Sequence, residues 1–289
     1  MRPHHLLGAG LFALGTLVVG YAVLGPLVLD VIHFRTSPSG LAQIRGGDLA
    51  ALVIVAPVCA AVGGLAWRGH PAAPVLALGP AIFAMYTYSQ LVLGNEYLDV
   101  PGNVERFFPL LLAVFLVAAA VAVRSAGLVR AAAPPVWSRR LEVGCGVLLV
   151  VIAAFVVVGI HLPSLVDAMG TAPAGAAYRD APTAFWVVKF YDLGIVAPAA
   201  LVVGVGLLRH RRWARVPAYA IIGGYLLLGW SVVGMAVTML LVGDPDASVG
   251  LAIGATTLAA ALSVYATVLY RPLFHPAATG PPAPGVPVG

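Results

Sequence analysis

Eight apolar runs follow one another along this chain, at approximate limits 6–31, 48–67, 74–94, 107–129, 142–166, 185–208, 215–242 and 248–270. About 20 residues of helix cross the ~30 Å of hydrocarbon in a bilayer, so each run is long enough to span it. Composition agrees: 61% of the residues are hydrophobic and only 9% are charged. A soluble chain of 289 residues cannot cover its surface with so few charges, whereas one solvated by lipid needs few. The expected fold is all-α and integral to the membrane. Cys59 and Cys145 fall in separate apolar runs and read as small packing residues. The start, Met1-Arg2-Pro3-His4-His5, leads into a long first run without a clear small-residue cleavage site, so that run reads as a retained helix.

Loops assigned alternately to two sides separate the charges. One side receives Arg2, Arg68, Arg124, Arg130, Arg139, Arg140, Arg209, Arg211, Arg212, Arg215 and Arg271, with Glu142 as its only acid. The other receives Arg35, Arg45, Arg106, Arg179 and Lys189 with the remaining ten acids. Eleven of sixteen basic residues thus lie on one side, and the positive-inside rule puts both termini in the cytoplasm. The net charge of +5 comes from arginines at segment ends, which orient helices and do not imply a nucleic-acid partner. Fifteen arginines against one lysine, Lys189, in a chain rich in Ala, Val, Leu, Gly and Pro, suggest a GC-rich bacterial genome. The expected location is the bacterial cytoplasmic membrane.

The chain also repeats itself. Residues 36–42 read TSPSGLA and residues 171–177 read TAPAGAA. Pro26-x-x-x-Asp30 precedes the first copy and Pro163-x-x-x-Asp167 the second. After them come Arg45-Gly-Gly-Asp48-Leu49 and Lys189-Phe-Tyr-Asp192-Leu193, then Val55-Ala56-Pro57 and Val196-Ala197-Pro198. The ordered series predicts two tandem four-helix copies. Four is even, so both copies enter from the same side and are parallel, related by an axis along the membrane normal. The expected organisation is 1–130 as the first copy, 131–140 as a basic cytoplasmic linker, 141–271 as the second copy, and 272–289 as a disordered Pro/Gly-rich tail. One pairing stays open. Motif matches Asp48 with Asp192, whereas depth counted from the arginines Arg68 and Arg209 matches Asp48 with Lys189.

Candidate chemistry gathers at the acidic side. Asp30 and Asp167 follow a proline by four residues, near a carbonyl that the proline cannot satisfy. Arg45/Asp48 and Lys189/Asp192 have i, i+3 spacing. Taken singly, these groups read as interfacial caps and local ion pairs. Taken together, Asp30, Asp48, Asp167, Asp192 and Lys189, with Arg45 at the rim, form one ligand-binding site, since ionisable groups at membrane depth are often functional. His161, with only His33 near the same surface, reads as a polar packing residue, not a haem ligand. The stretch Met85-Tyr-Thr-Tyr-Ser-Gln90 is the most polar within a span and lines a cavity or a helix contact. The chain carries no GxxxxGK[ST], HExxH, CxxC or GxSxG pattern, so no catalytic residue, metal or cofactor is assigned.

The expected function is that of a transporter-like membrane protein handling a small solute or ion at its outer face. The rivals are an accessory or scaffold subunit of an envelope or respiratory complex and a membrane enzyme acting on a lipid-linked substrate. The expected partners are the lipid bilayer, a small solute or cation, and a membrane-protein partner or second copy.

Overall fold

A computed structural model describes residues 3–131 and 137–274. Eight helices are long and apolar enough to cross a membrane: α1 (Pro3–Leu24), α2 (Pro38–Trp67), α3 (Ala73–Leu93), α4 (Val104–Arg130), α5 (Arg139–Ala168), α6 (Pro182–Leu208), α7 (Arg212–Leu241) and α8 (Val249–Phe274). A short helix, Ala176–Asp180, precedes α6, and the described residues contain no strand. The protein is therefore an all-helical, multi-pass membrane protein. Arg139 and Arg140, expected in the linker, begin α5, while Pro272 to Phe274, expected in the tail, still belong to α8. The remainder of the expected tail, 275–289, lies outside the described residues, as do 132–136 of the linker.

Helix ends follow local chemistry more than hydropathy. α2 starts ten residues before the apolar run at 48, because Ser37 accepts the Gly40 N–H at 3.1 Å and Pro38 takes the first helical turn. α1 stops at Leu24, short of the apolar run's end at 31. Gly25-Pro26 turns the chain, the Asp30 N–H closes onto the Gly25 carbonyl at 2.9 Å, and Asp30 itself takes φ 50°.

The bundle has two ends. At one, His5 stacks on Trp67, His70 meets Phe274, and Glu142 receives Arg215 Nε at 2.7 Å and faces His210 Nδ1 at 3.0 Å. At the other lie the acids and the loops after α1, α3 and α5. In the first half α1 packs on α2 and α4, and α3 packs on α4. In the second, α5 packs on α6 and α7 on α8. α7 joins the halves by lying against both α2 and α3. Small residues permit those crossings: a Cβ on Gly46 would stand 2.3 Å from the Gly234 carbonyl oxygen, and one on Gly79 3.2 Å from Gly223.

Candidate functional site

Three prolines inside spans are each preceded by a π-helical turn. Proline has no N–H for the carbonyl four residues back, and its ring presses on that carbonyl. The helix answers by widening: Ala56 N–H bonds to Ala51 O before Pro57, Leu162 N–H to Val157 O before Pro163, and Ala197 N–H to Asp192 O before Pro198. The π segments are Ala51–Val55, Phe155–His161 and Asp192–Val196. Such turns shift the register of everything beyond them, and they frequently mark functional sites. Asp48 and Lys189 each stand three residues before a π segment and nine before its proline (48 to 57, 189 to 198). In this register Asp48 pairs with Lys189, and Asp192 pairs with Ala51.

The second half builds a polar chain from these turns. Asp192, at the start of its π segment, accepts the Tyr86 hydroxyl of α3 on Oδ1 at 2.6 Å and meets His161 Nε2 of α5 on Oδ2 at 2.8 Å. Lys189, one turn earlier on the same face of α6, donates to Ser164 Oγ at 2.8 Å and lies 3.5 Å from His161 Nδ1. Its ammonium also sits 3.8 Å above the Phe185 ring. Donors and acceptors match along the whole row: with Nε2–H given to Asp192, Nδ1 is the acceptor that faces the ammonium. The row carries one positive and one negative charge with the imidazole between them. His161 is only 3% exposed and Lys189 6%, so the ammonium depends on the row for its solvation, while the Asp192 side chain keeps 17% exposure.

Asp48 is the opposite case. It is 3% exposed, and its Oδ2 has no hydrogen-bond partner. That oxygen is sealed against Gly25, where a Cβ would come within 2.9 Å of it. The Tyr21 hydroxyl on α1 is likewise buried and unpartnered. Asp48 lines a cavity of about 170 Å³ between the two halves. α2 and α3 form most of its wall, with Val187 and Val188 from α6 and Met235 from α7. Gln90, whose Nε2 is also buried without a partner, lines it from α3. Gln90 lies one helical turn beyond Tyr86, and Val188 is next to Lys189, so cavity and polar row share the walls α3 and α6.

The other expected residues lie apart from both. Arg45 donates its Nε to the Pro26 carbonyl at 3.2 Å, and Asp30 is exposed on the turn after α1. Asp167 accepts the N–H groups of Ala174 and Gly175 at 3.2 and 2.9 Å and so anchors the loop before α6. Neither basic-x-x-Asp motif closes as an ion pair within 4.0 Å among the described residues; Pro26 takes the arginine and His161 separates the lysine from its aspartate. His161, Tyr86 and Ser164 were missing from the expected site. Their signal was faint but present, a histidine two residues before a proline in a span and the most polar patch of α3. Glu96 was missed too. It reaches from the end of α3 to accept Thr183 N–H at 2.7 Å and Thr183 Oγ1 at 2.6 Å, capping α6 across the two halves.

Among the described residues no group of three His, Cys, Asp or Glu side chains is placed to hold a metal ion. No protein-family model matches the chain, and no curated protein or solved structure proves similar to it.

Proposed function

We propose that this is a transporter-like protein that handles a small solute or ion from the acidic end of its bundle. The Tyr86–Asp192–His161–Lys189 row carries this reading: ionisable groups inside spans, His161 and Lys189 buried and Tyr86 and Asp192 half-buried, joining α3 of the first half to α5 and α6 of the second. Lipid-solvated helices have no structural need for such groups, whose burial is costly unless they are used. Three π turns flank the row and the cavity, which supplies the places where α2, α5 and α6 can bend as the halves move. In this reading the halves are tandem parallel copies, both termini are cytoplasmic, and the acidic end faces outward from a bacterial cytoplasmic membrane.

Concentration jumps on proteoliposomes adsorbed to a solid-supported membrane test the transport reading. Small ammonium compounds, amino acids and monovalent salts are the solutes to apply. At least one should elicit a saturable transient current, reduced tenfold or more by Tyr86→Phe, a change that removes one donor and no charge. No current with any of them removes the reading. Sidedness is tested by single cysteines at Ser39 and Ala174 on a background lacking Cys59 and Cys145. Labelling from outside the cell is expected, and labelling seen only after the cytoplasmic side is opened reverses the topology.

A second reading, an accessory subunit, has one observation behind it. Towards the acidic end α5 turns Val151, Phe155, Val158 and Ile160 outward, and α8 turns Leu251, Ile253 and Leu258 outward, leaving a flank where a partner helix fits. Copurification of the solubilised protein in fixed ratio with another membrane protein, together with silence in the current assay, would favour it.

A further inference from the structure

We infer that the cavity beside Asp48 is a binding site for a small organic ammonium ion, with the Asp48 carboxylate as its counter-ion. The inference rests on the transport reading only in treating the cavity as the station of the solute.

A carboxylate inside a span, 3% exposed, has no hydrogen bond to either of its oxygens among the described residues. Among the described residues no ion pair within 4.0 Å compensates it. Arg45, one turn away along the helix, gives its Nε to the Pro26 carbonyl and forms no ion pair with Asp48 within 4.0 Å, and Lys189 is committed to Ser164 and His161. An uncompensated buried charge is expensive, and a polar group left unpaired in a native interior calls for an unseen partner. Oδ2 is sealed against Gly25, so a partner in the adjoining cavity meets the carboxylate through Oδ1.

The walls indicate what kind of cation fits. Phe34, Phe83 and Tyr88 present rings to the cavity and Met235 a thioether, surfaces that suit a cation bearing an apolar body. Thr36, Thr87 and Gln90 add neutral polar groups able to accept the remaining ammonium hydrogens. A bare metal ion needs several oxygens at once, and Asp48 is the only carboxylate on the wall. Size restricts the choice further. Pockets for drug-sized ligands span roughly 300–1,000 Å³, so a cavity of about 170 Å³ admits only a small solute. A short primary amine in its protonated form meets all three conditions.

The register of the two halves sharpens the inference. Lys189 occupies in α6 the place that Asp48 occupies in α2, counted from the π turns. There the charge is answered by the protein's own side chains. At Asp48 the equivalent answer is missing, and a cationic solute supplies it.

Binding of n-butylammonium to the full chain in lipid nanodiscs tests this, with n-butanol, butyrate and sodium chloride at matched ionic strength as comparisons. Saturable binding of n-butylammonium is expected, and at least ~100-fold weaker binding of n-butanol, which keeps the body and lacks the charge. Asp48→Asn should weaken n-butylammonium by about 30-fold or more, which is about 2 kcal/mol. Val188→Phe, which keeps the carboxylate but fills the space, should do the same, and it carries the test if Asp48→Asn does not fold. Equal binding of n-butanol overturns the site, as does wild-type affinity in Val188→Phe. Displacement of n-butylammonium by millimolar sodium overturns it in favour of a metal-ion site, and absence of n-butylammonium binding overturns it outright. Binding without any solute current keeps the site and removes transport. A current without amine binding does the reverse.

Discussion

Pro26 and Pro163 stand at matched places near the acidic ends of α1 and α5, yet the first ends its helix and the second is absorbed by a π turn. The surroundings differ. α1 is gripped by both α2 and α4, and the chain beyond Gly25 turns off the bundle at once. α5 packs chiefly on α6 and meets α8 near the basic end, where the Tyr265 hydroxyl would lie 3.9 Å from a Cβ on Gly144. With one flank free, α5 widens around the proline and continues to Ala168. That continuation puts His161 on the π turn and Ser164 one turn beyond, where Lys189 meets both. The same short motif thus yields an exposed turn in one half and half of a buried polar row in the other. A motif specifies which carbonyl loses its donor, and the neighbours decide how the helix makes it good.

The largest expected effects test whether the first half and its junction are the rigid part. Gly46→Val puts a branched side chain where even a Cβ lies 2.3 Å from the Gly234 backbone. No side-chain rotation relieves such a clash, so α2 and α7 must part, at a cost of about 3 kcal/mol or more. Little folded protein should survive in fluorescence-detected size exclusion. The corresponding change within the second half, Gly204→Ala, meets the Gly146 carbonyl at 2.9 Å. α5 has room to move away, so a loss of about 1 kcal/mol is expected. Equal losses at the two positions would end the distinction between a clamped half and a loose one.

Next in size is the contrast between the two aspartates inside spans, Asp48 buried and Asp192 half-buried. Asp192→Asn strands Lys189 without its counter-charge and should cost about 3 kcal/mol, seen as a lower thermal midpoint. Adding Lys189→Met restores neutrality and should recover most of that loss, which a purely steric effect of the asparagine would not allow. Asp48→Asn has no hydrogen-bond or ion-pair partner to lose among the described residues. It removes a charge that the protein itself leaves uncompensated, so the ligand-free protein should keep its midpoint to within about 1 kcal/mol or gain. Destabilisation by Asp48→Asn as large as that by Asp192→Asn would reveal a protein partner for Asp48.

A smaller effect separates the ways the two halves start their second helices. α2 is capped by its own Ser37, but α6 borrows Glu96 from the end of α3. Glu96→Ala should cost about 1 kcal/mol. Thr183→Val removes one of the same two bonds, so the pair of changes should be markedly non-additive in a double-mutant cycle. Additivity would mean that Glu96 acts elsewhere.

All eight spans were legible in the sequence, because about 20 apolar residues admit one explanation. Their ends were less so. Residues 38–47 are too polar to read as a span, yet Ser37 and Pro38 start a helix there; residues 25–31 are apolar apart from Asp30, yet Gly25-Pro26 ends one. Part of the polar row was legible as well, since Lys189 and Asp192 stood out as charges in apolar runs. Their partners were not. His161 and Tyr86 come from helices far along the chain, and only packing shows that α3, α5 and α6 converge. The π turns were hidden too, because an extra residue in a helical turn leaves hydropathy unchanged. The alignment by depth rested on Arg68 and Arg209, and Asp48 and Lys189 also each stand three residues before a π turn.

The smallest expected effect concerns Asp30 and Asp167, identical in motif and different in use. Asp167 holds the N–H groups of Ala174 and Gly175, while Asp30 holds no side-chain hydrogen bond among the described residues and sits exposed at φ 50°. Asparagine accepts left-handed backbone as readily as aspartate, so Asp30→Asn keeps the turn and should change nothing measurable. Asp30→Val should disturb it, because a branched side chain is strained at positive φ. Asp167→Asn keeps one acceptor oxygen and loses the second together with the charge, so the loop before α6 is held by one bond in place of two. The midpoint of unfolding should stay where it is. Amide exchange at residues 170–176 should quicken severalfold, and limited proteolysis should cut there sooner, since local opening is governed by local anchors and not by global stability. Faster exchange after Asp30→Asn, or unchanged exchange after Asp167→Asn, would mean that the two motifs are used alike. The difference between the halves would then lie in helix geometry alone.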